Sequence, residues 1–281
     1  MLLSWQVDVR NNRMTPAGVA ALVNAAFANG SVTDIDLSEN RIGRLGALAL
    51  AQALAVDIPT VASASRRSST IATGPHSRVR SSLQSLTLSK CHLDDRAMLA
   101  MRSGLQSQNC RLTHLDLSRN QLGDGAGAVV GAMLNTPGCC LKTVTLEWNT
   151  IRKVRLTEWF VVLMQCNAAA SPSSIGNMQK GAKAIAAGLL VNRSVQKINM
   201  SWNAFGGDGA MDFGTCFRDN PTLRNVDLSH NNITEDAAVV LAAGVRTNTT
   251  LASLRLDFNP LGCVLWRRWR RWCILLKRPG P

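Results

Sequence analysis

Residues 112–122 read Leu112-Thr113-His114-Leu115-Asp116-Leu117-Ser118-Arg119-Asn120-Gln121-Leu122, and this spacing of apolar positions around one asparagine returns along the chain. Written as L-x-x-L-x-L-x-x-N-x-L, the pattern is met again by Val32, Ile35, Leu37, Asn40 and Ile42. Leu83, Leu86, Leu88, Cys91 and Leu93 fit it with a cysteine at the asparagine position. Further copies are Leu141, Val144, Leu146, Asn149, Ile151 and then Val195, Ile198, Met200, Asn203, Phe205. The last two are Leu223, Val226, Leu228, Asn231, Ile233 and Leu251, Leu254, Leu256, Asn259, Leu261. A partial copy, Val7, Val9, Asn12 and Met14, opens the chain and brings the number to eight. Repetition of so long a pattern decides the fold before any single residue is interpreted.

Each position has a physical reason. Two apolar residues separated by one position point to the same side of a short strand, and their neighbours point to the other. The asparagine that follows can turn inward and bond backbone groups that the turn leaves unpaired. Asn12, Asn40, Cys91, Asn120, Asn149, Asn203, Asn231 and Asn259 are therefore the predicted structural ladder, with a structural rather than a reactive role for Cys91. After each strand the apolar spacing turns helical. It predicts helices over 17–27, 46–54, 95–105, 126–134, 181–190, 209–217 and 236–245. Strand–helix units stacked side by side give an α/β solenoid: parallel strands on a concave face, helices on a convex one. With no Tyr and only six Phe, the core is expected to be aliphatic.

The interval between ladder positions is 28 residues from Asn12 to Asn40, from Asn203 to Asn231 and from Asn231 to Asn259, and 29 from Cys91 to Asn120 and from Asn120 to Asn149. This period and the L-x-L-S-x-N core resemble the ribonuclease-inhibitor-like class of leucine-rich repeats. The turns Ser201-Trp202-Asn203 and Trp148-Asn149-Thr150-Ile151-Arg152 are similar to those of the leucine-rich repeat-containing protein 74 group. The resemblance implies a horseshoe of about eight repeats over residues 1–262 that binds other proteins.

Two intervals break the period. Asn40 to Cys91 is 51 residues and Asn149 to Asn203 is 54, so segments at about 56–78 and 154–179 read as insertions. Removing either restores the spacing. The second begins Val154-Arg155 and ends at Gln179, residues that an intron's donor and acceptor sequences would encode if translated. The competing reading is a surface loop that carries function. Residues 263–281 form a non-repeat tail containing Trp266-Arg267-Arg268-Trp269-Arg270-Arg271-Trp272. Interleaved Trp and Arg suit an anionic membrane surface or nucleic acid, while AGG and TGG codons equally suit a frame running into simple-sequence DNA. No polar capping repeat follows Gly262.

The net charge of +13 loses its force once it is located. The tail holds six cations and no acid, and 56–78 a net two more, so the remainder is only +5. Nucleic acid or membrane is thus a partner only if the tail is genuine. The eight Cys show no CxxC pair or regular framework, and no signal peptide is read at the start. A reduced, cytoplasmic setting is expected.

Chemistry leaves no trace of its own. His76, His92, His114 and His230 form no metal motif, and neither a phosphate loop nor a nucleophile elbow is present. No cofactor, no metal and no catalysis are expected. The exposed positions of the strands and their turns are the better candidate site. They hold Asp8, Asp34, Asp36, Glu39, Asp116, Glu147, Asp227 and Asp257 against Arg10, Lys90, Arg119, Lys197 and Arg255. Trp148, Trp202 and Phe258 share one repeat position, just before the ladder asparagine. Aromatics beside charges favour protein interfaces, though the Trp residues could equally pack over the asparagine turn. The expected site is Asp36, Asp116, Glu147, Trp148, Trp202, Asp227, Arg255, Asp257 and Phe258, acting on a partner protein. The expected role is an interaction scaffold, or alternatively a regulator of one enzyme or polymer: a small-GTPase activator, an inhibitor of the ribonuclease-inhibitor kind, or an actin-capping module.

Overall fold

The computed structural model describes residues 5–55, 58–59, 78–79, 82–107, 110–151 and 181–262. The segment 154–179 and the tail 263–281 lie outside the described residues, as does 56–78 apart from two short strands at its ends.

Short strands form where the template places its paired apolar residues. They are β1 (Trp5–Asp8), β2 (Val32–Asp36), β5 (Ser85–Thr87), β6 (His114–Asp116), β7 (Thr143–Thr145), β8 (Lys197–Asn199), β9 (Asn225–Asp227) and β10 (Ser253–Arg255). All pair in parallel, in the order β1-β2-β5-β6-β7-β8-β9-β10. The sheet is open, and its order follows the chain. The pairs β2–β5 (Asp34↔Ser85) and β7–β8 (Thr143↔Lys197) keep the register although their paired residues lie 51 and 54 positions apart in the sequence. Between β2 and β5 in the chain, β3 (Ile58–Pro59) and β4 (Arg78–Val79) form a separate antiparallel pair.

Seven helices are described: α1 (Pro16–Asn29), α2 (Gly43–Ala55), α3 (Asp95–Leu105), α4 (Asp124–Leu134), α5 (Gly181–Val191), α6 (Gly206–Asp219) and α7 (Glu235–Thr247). The fold is an α/β repeat solenoid. Its core lies between the sheet and the helix layer. Leu86, Val144 and Leu88 from the strands and Leu50, Ile185 and Leu241 from the helices have no exposed surface. The expectation of an aliphatic core needs one correction. Phe205, Phe213 and Phe217 form an aromatic cluster around α6, with successive ring centroids 6.2 and 5.9 Å apart, and Phe27 is buried in the first repeat.

The helices α2, α4 and α6 begin two or three residues before the apolar pattern does. Their first turns contain Gly and Asp, which give no hydrophobic signal, and some are capped from the repeat before. The Asp95 carboxylate accepts hydrogen bonds from the backbone N–H groups of Gly123, Gly125 and Ala126 at 2.7–3.1 Å. It thereby caps the first turn of α4 from α3. Asp124 does the same for α5 through the N–H of Gly181 at 2.9 Å. Replacing Asp95 by Ala leaves three N–H groups without this acceptor, so a cost of about 2 kcal/mol is expected in a urea unfolding curve.

The helices touch through glycine. A Cβ on Gly131 would sit inside the contact distance of Ala184 O, and one on Gly188 inside that of Gly131 O. Absent side chains at these positions let α4 and α5 approach backbone to backbone, matching the close spacing of β7 and β8 beneath them.

Candidate functional site

The site is built on the turns that follow the strands. In each turn the ladder amide bonds in two directions. Asn120 Nδ2 donates to the carbonyls of Leu88, Leu117 and Ser118 at 2.8–3.0 Å, and Asn120 Oδ1 accepts from the N–H groups of Cys91 and Leu93 at 2.9 and 3.1 Å. One side chain thus joins its own turn to the preceding repeat. Asn40, Asn149, Asn203 and Asn259 repeat the arrangement with small variations, whereas Asn12, at the sheet edge, donates only to Arg10 O. At Asn231 the pattern is incomplete. Its Nδ2 donates to Met200 O and Ser229 O, but its buried Oδ1 has no hydrogen-bond partner. The turn after Asn203 runs differently there, with Ala204 N–H donating to Ile151 O and Gly206 N–H to Asn231 O.

Cys91 takes the donor half of the asparagine's part. Its Sγ–H donates to Leu37 O at 3.2 Å and Ser89 O at 3.5 Å. Burial pushes the thiol up to about 12, so it stays protonated at neutral pH. The expected outcome is that native protein leaves Cys91 unalkylated by iodoacetamide at pH 7.5 and that denaturant exposes it, read by peptide mass mapping.

A second asparagine row, which the sequence reading missed, lies before the strands. Asn192, Asn220 and Asn248 donate through Nδ2 to carbonyls of the preceding repeat and accept through Oδ1 from the N–H groups that open the next strand segment. Their 28-residue spacing was the available signal. In the sequence, Asn192-Arg193-Ser194 has the form of a glycosylation sequon; in the fold Asn192 is buried.

The residue before each ladder position has a left-handed backbone. Glu39, Lys90, Arg119, Trp148, Trp202, His230 and Phe258 all have φ between 54° and 59°. Such a conformation costs a non-glycine residue about 1 kcal/mol or more and persists because the surrounding bonds impose it. It aims these side chains outward, one per repeat, in a single row. The first part of the row is charged: Lys90 Nζ lies 2.7 Å from Glu39 Oε1, which holds the Glu39 carboxyl below its ordinary range. The second part is a continuous stack of rings. Trp148 and Trp202 lie 4.2 Å apart, Trp202 and His230 3.7 Å, and His230 and Phe258 4.2 Å, with interplanar angles of 12–14°.

The structure therefore stacks Trp148 directly on Trp202 and joins Phe258 to them through His230. The sequence reading weighed His230 as a metal ligand and did not place it at the shared repeat position before Asn231. Trp148 is 46% exposed, Trp202 40% and Phe258 78%. The four rings pack on one another.

Beside this row, the acids of the strands have local work. Asp36, Asp116 and Asp227 each accept, through Oδ1, the N–H of the serine two residues on, at 2.8–3.0 Å. Arg255 lies 3.3 Å from Asp227 Oδ2 and 3.5 Å from Asp257 Oδ2, and Glu147 Oε2 accepts from Asn199 Nδ2 at 3.2 Å. At the other end Arg10 bridges Asp8 and Asp36, keeping the Asp8 carboxyl low through its hydrogen bond. Among the described residues no group of His, Cys, Asp and Glu is arranged to hold a metal ion.

Comparison with known proteins agrees with this geometry. A family model described as "Leucine Rich repeat" matches residues 28–51, 108–129, 191–214 and 219–242. The chain is a leucine-rich repeat protein. It is 25% identical over 270 residues to "NACHT, LRR and PYD domains-containing protein 5" of Mus musculus, covering 94% of this chain and 19% of that protein. To "NACHT, LRR and PYD domains-containing protein 12" of Mus musculus it is 26% identical over 301 residues, covering 94% of this chain and 26% of the relative. "Protein TORNADO 1" of Arabidopsis thaliana is 34% identical over 84 residues, 30% of this chain and 6% of that protein. The leucine-rich repeat chain thus spans between 6% and 26% of the length of these relatives. Among its described residues no helix is long and apolar enough to cross a membrane.

The row gives this leucine-rich repeat protein one surface unlike the rest. Ring edges, the outer face of Phe258 and flanking carboxylates are presented by a backbone that the ladder amides hold in place. Such a surface can desolvate against a partner without first ordering itself.

Proposed function

We propose that this protein is a non-enzymatic interaction scaffold in the cytoplasm that binds a partner protein across its open sheet face, the concave side of the solenoid. The observation that supports this reading is the four-ring stack of Trp148, Trp202, His230 and Phe258. Contiguous exposed apolar surface rimmed by charge is uncommon on a protein that works alone. Trp is among the residues that dominate binding energy at interfaces. Asp36, Asp116 and Asp227 keep their turns, the second oxygens of Asp36 and Asp227 pair with Arg10 and Arg255, and Glu147, Arg255 and Asp257 form the rim.

The narrower likeness to the leucine-rich repeat-containing protein 74 group rests on Trp148 and Trp202 and belongs to the same proposal. The alternative is a regulator that acts on one enzyme or polymer through this face. Affinity capture with the full chain, run beside a Trp148→Ala/Trp202→Ala variant, tests the surface: a partner retained equally by both contradicts it. A hydrolysis assay on any GTPase so captured separates the two roles, since acceleration by the protein removes the scaffold-only reading.

A further inference from the structure

The helix-to-strand turns before β6 and β7 place three cysteines around one small cleft. Cys110, Cys139 and Cys140 line it together with Leu112, Met133 and Leu141. Cys110 and Cys139 occupy the same position in consecutive repeats, because β6 and β7 pair with an offset of 29 residues (His114↔Thr143) and 29 residues separate the two cysteines. Their turns are built alike: Cys110 N–H donates to Ser107 O at 3.0 Å and Cys139 N–H to Thr136 O at 3.1 Å. Registry of this kind carries the strand spacing of about 5 Å into the turns. A disulfide needs Cα atoms about 4.4–6.8 Å apart.

Both side chains are partly buried against the core, yet neither is sealed from solvent. Cys140, by contrast, directs its Sγ–H to Gly138 O in its own turn at 3.3 Å. The five described cysteines are free thiols.

We propose that Cys110 and Cys139 are a redox pair, which a small-molecule disulfide converts into a bridge stapling two consecutive repeats. The reaction is a double exchange. One cysteine thiolate attacks a sulfur of the small disulfide, forming a mixed disulfide and releasing one small thiolate. The neighbouring cysteine thiolate then attacks the protein sulfur of that mixed disulfide, closing Cys110–Cys139 and releasing the second small thiolate. The protein loses two electrons, the small disulfide gains them, and the protons lost by the two cysteines end on the two small thiols. Burial keeps the Cys110 thiol high, at about 11, which disfavours it as the first attacking group.

The full chain is treated with oxidised glutathione, under conditions where Cys91 and Cys216 stay unmodified, then digested without reduction and mapped by mass spectrometry. The expected product is a cross-linked Cys110–Cys139 peptide, lost on reduction and absent from Cys110→Ser and Cys139→Ser protein. It persists in Cys140→Ser protein. Glutathione adducts with no bridge in the unsubstituted chain would overturn the proposal, as would a bridge that uses Cys140.

Discussion

Replacing Asn120 by alanine is expected to lower the unfolding free energy by about 3–5 kcal/mol. The side chain makes five hydrogen bonds, three as donor and two as acceptor, to backbone groups of two repeats. Alanine would strand the N–H groups of Cys91 and Leu93 in a site where Cys91 and Leu93 have no exposed surface. Each buried group left unsatisfied costs about 1–3 kcal/mol, and alanine returns nothing. Asn12→Ala provides the contrast. Asn12 is exposed and its amide donates only to Arg10 O, so its loss should cost less than about 1 kcal/mol. Urea unfolding followed by circular dichroism measures both. Equal effects would mean that position in the repeat, rather than the count of bonds, sets the contribution.

The second large effect concerns binding. Trp202 is an interior ring of the stack, touching Trp148 on one side and His230 on the other. Removing it separates Trp148 from the His230–Phe258 pair, so more surface is disordered than one side chain supplies. A loss of about 2 kcal/mol or more in partner affinity is expected for Trp202→Ala, roughly thirtyfold. The folding cost should be smaller, about 1 kcal/mol, because the ring is partly exposed and stacking contributes on that order. Trp202→Gly separates the two quantities further. At φ 55° glycine is the preferred residue, so this variant should fold at least as well as the alanine one and still bind as poorly. Calorimetric titration of the captured partner against both variants reads the affinity.

These effects show which parts of the molecule the sequence disclosed. The strand order and ladder were legible because each repeat carries its own copy of an apolar pair and an asparagine, and parallel neighbours need no long-range pairing to be inferred. The start of α4 was marked by the Asp124-Gly125 pair, a helix-start signal, but that of α6 was not, since Gly206-Gly207 carry no apolar period. For α4 the first turn is completed by Asp95 of the preceding helix. His230 was legible in principle, one residue before Asn231, but a histidine suggests a ligand before it suggests a stacking ring. The row of Asn192, Asn220 and Asn248 was hidden in loops, where asparagine is common for other reasons. Asp36, Asp116 and Asp227 were read as offered to a partner; each also holds its own turn through the following serine, a bond that residue type and spacing did not by themselves reveal.

The central claim is that partners meet the sheet face and its aromatic row rather than the helices. A photo-crosslinking amino acid introduced at Lys197, exposed on β8, or at Ser103, exposed on α3, tests it directly. The account predicts an adduct with the partner protein from position 197 and none from position 103. An adduct from position 103 alone would contradict it.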